Sequence, residues 1–127
     1  MHNNSGESMN KFDYSLDEWL SRLPNELAID AVGMWQIIPV LRQQFNLEGD
    51  ELVEWTRRGI LALIARGAVP VKGSGQTKGW YQQHGYGATP QAMTEAIISE
   101  WQLTGEDPEP YDSLWFALES EIEANYG

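Results

Sequence analysis

The 127-residue chain has the length of one domain, and 42% hydrophobic residues with six tryptophans give it material for one core. It contains no cysteine, which excludes disulfides, thiolate metal sites and thiol nucleophiles. Nineteen acidic residues against eight lysines and arginines leave a net charge of −11, which repels polyanions and attracts basic partners.

The charge is segregated along the chain. Residues 1–54 hold three basic residues against ten acidic ones, residues 55–94 hold five basic and no acidic residue, and residues 95–127 hold nine acidic residues and no lysine or arginine. A basic island therefore stands between two acidic flanks. The first residues, MHNNSGESMN, lack the basic-then-apolar order of a secretory leader. No apolar run approaches the ~20 residues of a membrane span. Residues 1–13 are expected to form a polar, mobile arm and residues 14–127 a single globular domain, with the cytoplasm as the default compartment and no membrane contact.

In chain order, Ser15 and Glu18 form a capping-box pattern that opens a short helix over 16–22, with Leu16, Trp19, Leu20 and Leu23 on one side. Pro24-Asn25 is expected to break the chain. Val32, Trp35, Ile38 and Leu41 then recur at helical spacing, and Pro39, which lacks a backbone donor, should kink or divide that helix. The turn NLEGD places an N-cap at Asp50. The clearest pattern follows: Leu52, Val53, Ile60, Leu63 and Ile64 share a helical face, Arg66 stands beside the negative helix end, and Gly67 supplies the stop.

Residues 68–72 read as a short strand, assigned to a sheet edge by Pro70. The stretch KGSGQTKGWYQQHGY, residues 72–86, is expected to be a long connection. Thr89-Pro90 supplies an N-cap and a first-turn proline for a helix lined by Met93, Ala96, Ile97 and Trp101 and ending near Leu103. An acidic loop, TGEDPEPYD, leads to SLWFALESEIEANY, whose aromatic opening suits a strand over 113–118 paired with 68–72, and whose alanines and glutamates suit a helix. Trp101 and Trp115 are expected in the core. No internal repeat recurs at a structural period.

Three helices, a strand, a long loop, a helix and a strand resemble a winged-helix-like domain with a helix inserted between its wing strands. The expected fold is mainly α (α+β), a winged-helix-like helical domain with a short two-stranded sheet. In size and charge the chain also resembles small acidic bacterial proteins, among them immunity proteins that neutralise secreted toxins. Neither resemblance transfers a residue role.

Three functional readings can be ranked: a protein-binding module first, a winged-helix nucleic-acid-associated protein second and an uncharacterised enzyme third. The glycines of 73–79 fail the phosphate-loop spacing, because Lys78 precedes Gly79 instead of following a glycine, and no helix opens there. His84 is the only histidine within 14–127, no H-E-x-x-H or G-x-S-x-G occurs, and no catalytic residue, cofactor or metal is assigned. Arg57, Arg58, Lys72 and Lys78 have the chemistry for phosphate contacts in a winged-helix DNA- or RNA-associated protein, but the net charge opposes it. The leading expectation is a non-enzymatic protein-binding module. Its acidic face, Glu106, Asp107, Glu109 and Asp112, would meet a basic partner such as a toxin or nuclease.

Overall fold

A computed structural model of the chain describes residues 15–73, 80–109 and 113–122. The expected N-terminal arm, Lys78 and Asp112 lie outside these residues. The class is α+β: the described residues form four α-helices and a four-stranded antiparallel sheet.

Helix α1, Leu16–Arg22, starts as its sequence requires, with the Glu18 N–H donating to Ser15 Oγ at 3.2 Å and the Ser15 N–H donating to Glu18 Oε1 at 3.3 Å. Pro24 does not break the chain. It sits in the first turn of a 3-10 segment, Leu23–Ala28, where a missing N–H costs nothing. Val32 leaves the helical pattern for a two-residue strand, β1, Val32–Gly33. Helix α2, Met34–Gln44, opens with the Gly33 N–H donating to Gln36 Oε1 at 2.7 Å and runs past Pro39 undivided. Helix α3, Gly49–Ala65, begins before Asp50, which makes no cap and instead places its carboxylate with that of Glu51 near the positive helix end. It stops as expected at Gly67, whose φ of +105° is in the left-handed region.

Strand β2, Ala68–Gly73, and strand β3, Trp80–Gln82, form a hairpin, so part of the expected connection is sheet. Helix α4, Pro90–Thr104, is capped by Thr89 Oγ1, which accepts from the Ala92 N–H at 3.1 Å. Strand β4, Trp115–Leu118, pairs with β2 as the sequence suggested, and a 3-10 turn, Glu119–Glu121, follows it.

The sheet order is β1-β4-β2-β3, so the expected two-stranded sheet has four strands and β2 is interior. Pro70 is fully buried opposite Phe116, not at an edge. Its carbonyl accepts the Gln83 N–H at 2.8 Å, just past the end of β3. In an antiparallel strand a residue's N–H and C=O project to the same side, so the missing donor of Pro70 falls where the ladder has already ended.

Alternation along β2 and β4 divides the apolar residues between two faces. Ala68, Phe116 and Leu118 face the main core with Trp19, Ile37, Ile38, Leu41, Ile60, Leu63 and Ile97. Gly59 lets α1 approach α3: a Cβ there would lie 3.2 Å from both Trp19 and Leu23. Val71 and Ala117 face the other way, under the half-buried Val69, Trp80, Trp115 and Ile122. Trp115 packs there against Trp80 and Trp35, with ring centroids 5.1 and 6.0 Å apart. Trp101 is also half-buried, so the tryptophan inside the core is Trp19, not the two expected. Among the described residues no helix is long and apolar enough to cross a membrane.

Candidate functional site

The last turn of α4, the loop 105–109 and the approach to β4 enclose a groove of about 440 Å³. Met34, Ile97, Trp101 and Leu114 give it apolar walls, while Glu100, Glu106, Asp107 and Glu109 contribute carboxylates. Lys72 of β2 is the cation among the described residues that line it.

Local chemistry explains the shape. Gly105, at φ +72°, ends α4 in the left-handed region. Thr104 Oγ1 donates to the Trp101 carbonyl at 2.7 Å and accepts the Glu106 N–H at 3.3 Å, which turns the chain back over the helix end. Arg42 of α2 then grips Asp107 through two hydrogen bonds of 2.8 and 2.9 Å. This bidentate pair raises the Arg42 pKa above its ordinary value. On the other side, the Tyr86 hydroxyl donates to Glu100 Oε1 at 2.7 Å. Desolvation, then the adjoining Glu100 carboxylate, hold the Tyr86 phenol well above its usual pKa. Ser113 Oγ is shielded from solvent and has no hydrogen-bond partner among the described residues.

The groove unites three of the four residues proposed as an acidic face, Glu106, Asp107 and Glu109. They are not equivalent, because Asp107 is neutralised by Arg42 whereas Glu106 and Glu109 form no ion pair among the described residues. The residues that sequence reasoning did not bring to this site are Glu100, Tyr86 and Arg42. Glu100 lies on the solvent side of α4 one residue before the half-buried Trp101, and that proximity was available in the sequence.

The proposed nucleic-acid contacts are dispersed. Arg57 binds both oxygens of Glu95 on α4 and donates to Glu54 at 2.7 Å. Arg58 donates to Glu54 at 3.0 Å and lies 4.6 Å from the centroid of the Trp55 ring. The hydrogen bonds of Arg58 and then Arg57 hold the Glu54 carboxyl below its ordinary pKa, and Arg57 does the same for Glu95. The Arg57 pKa rises in turn, with Glu95 as the largest cause. Lys72 lies instead against the acidic groove. His84 is exposed in the loop between β3 and α4. Among the described residues no group of three or more histidine or carboxylate side chains could hold a metal ion.

Comparison with protein-family models, with curated proteins and with solved structures finds no match to this chain.

Proposed function

We propose that the chain is a non-enzymatic protein-binding module that takes a basic partner on the face carrying the acidic groove. The observation that carries this reading is the division of charge. Every arginine among the described residues is engaged by its own chain: Arg22 by Glu18, Arg42 by Asp107, Arg57 by Glu54 and Glu95, Arg58 by Glu54, and Arg66 by Asn25. Glu106 and Glu109 line the groove without an ion pair to any described residue, so that face attracts positive charge. Leu103, on the last turn of α4, is 88% exposed and offers a partner an apolar contact on the same helix. In its sharpest form the module is an immunity-type inhibitor that occludes the positive substrate cleft of a nuclease or another basic toxin.

The winged-helix reading has support of its own at the level of topology. A short strand follows the first helical segment, two helices and β2 come next, and β4 returns to lie between β1 and β2. That matches a wing pair of β2 and β4 with α4 inserted between them. It favours nucleic-acid binding less, because Arg57 and Arg58 would have to leave Glu54 and Glu95 to reach a phosphate.

Affinity capture on the immobilised chain, with identification of the retained proteins, tests the proposal. It requires retained proteins that are basic, that elute as salt rises, and that bind less to a Glu106→Gln/Glu109→Gln variant. Retention indifferent to both salt and the two substitutions would overturn it.

A further inference from the structure

The dipeptide Glu-Trp occurs three times, as Glu18-Trp19 in α1, Glu54-Trp55 in α3 and Glu100-Trp101 in α4. In the first two, an arginine stands four residues after the glutamate and pairs with it: Arg22 with Glu18 at 3.7 Å, and Arg58 with Glu54 at 3.0 Å. The second also places its guanidinium 4.6 Å from the ring centroid of Trp55. This is helix geometry, since residues three and four apart meet on one face. In the third, the corresponding position is Thr104, and no arginine follows anywhere in the chain.

We infer that the third pair receives an arginine side chain from the partner, inserted into the groove and held by Glu100 and Trp101. The inference rests on the basic-partner reading above. Glu100 and Trp101 both line the groove, and Tyr86 occupies only Oε1 of Glu100, which leaves the second oxygen for a donor. Leu114 and Ile97 line the passage that the aliphatic stem would cross, and Glu106 adds a second carboxylate. Lys72 does not fill the position, because it forms no ion pair with a described carboxylate. Arginine fits better than lysine because its planar guanidinium can face an indole and bridge carboxylate oxygens at once.

The test follows the Trp101 indole N–H in a ¹⁵N spectrum during titration with a capped Gly-Arg-Gly peptide, its lysine counterpart and its uncharged citrulline analogue. The arginine peptide should shift Trp101 saturably and bind more tightly than the lysine peptide, and the citrulline peptide should have no effect. Glu100→Gln should weaken the arginine peptide about fivefold. Thr104→Arg should weaken it about tenfold or more by filling the site in cis. Thr104→Gln, which removes the same hydroxyl without adding charge, should weaken it less than Thr104→Arg does. No shift at Trp101, an equal response to citrulline, or a Thr104→Arg variant that binds like the wild type would overturn the inference. Should basic proteins still be retained in a salt-dependent way while the peptide fails, the anchor is wrong and the broader reading stands. Should the peptide bind while no basic protein is retained, the broader reading is wrong and the pocket stands.

Discussion

Arg42 and Asp107, 65 positions apart in sequence, are joined by two hydrogen bonds that fasten the loop after α4 to the last turn of α2. Asp107 lines the groove, so one of the four carboxylates expected to meet a partner is instead a structural one. Glu106 and Glu109 on either side of it remain for recognition.

Separating these roles gives the first prediction. Arg42→Met and Asp107→Asn should each lower stability by up to about 1 kcal/mol, and the double variant should cost less than their sum, as expected of a partly exposed bidentate pair. Glu106→Gln and Glu109→Gln should leave stability within about 0.5 kcal/mol of the wild type. Urea unfolding of the four single variants and the double variant measures both. Strict additivity of Arg42→Met and Asp107→Asn would show that the pair contributes nothing.

The seam between α3 and α4 should respond to acid. Folding lowers the pKa of Glu54 and Glu95, so the unfolded chain binds more protons as acid is added. Their contribution is therefore present above the ordinary carboxylate value of 4.5 and is lost as pH falls through the lower folded values. Because both side chains are well exposed, the contribution of each should not exceed about 1 kcal/mol. Glu95→Gln should lower Tm at pH 7 and lose that deficit progressively in acid. A deficit that persists below the folded pKa would contradict the ion-pair account.

Two buried threonines should behave in opposite ways. Thr56 is fully buried in α3 and its hydroxyl has no partner among the described residues, whereas the equally buried Thr94 donates to the Pro90 carbonyl at 2.7 Å. Thr56→Val should stabilise the fold by about 1 kcal/mol and Thr94→Val should destabilise it by a similar amount. Denaturant midpoints at equal slope decide this, and a loss of stability in both variants would refute the assignment for Thr56.

Gly59 lies where α3 packs against Trp19 of α1 and Leu23 just after it. Gly59→Val should cost about 1–3 kcal/mol, because its Cβ already meets Trp19 and Leu23 at 3.2 Å and the added methyls must displace them. Thermal unfolding would show this as a clear fall in Tm. An unchanged Tm would mean that the two helices separate freely.

Local signals were read well from the sequence. The Ser15 capping box, the Thr89 cap and the Gly67 stop depend on neighbours within a few residues, and each forms as its residue types require. The pairing of β2 with β4 was also legible, because both segments are short and rich in residues that suit strands. Pro70 misled because an edge preference describes a missing donor, and here the donor is missing where β3 has stopped. Strand β3 was hidden by its glycine-rich surroundings, since its order comes from pairing with β2. At the site, the carboxylates of 106–109 could be seen in sequence, but Arg42 on Asp107 and Arg57 on Glu95 span 65 and 38 positions, beyond any local pattern. They convert one proposed contact into an anchor and one proposed phosphate ligand into a helix clamp.

The most direct test of the acidic-face account is the salt dependence of basic-protein retention on the immobilised wild type and on a Glu100→Gln/Glu106→Gln/Glu109→Gln variant. The account predicts strong retention at low salt by the wild type, a steep loss as salt rises, and a much weaker, flatter response from the variant. Equal retention by the two proteins across the whole salt range would contradict it.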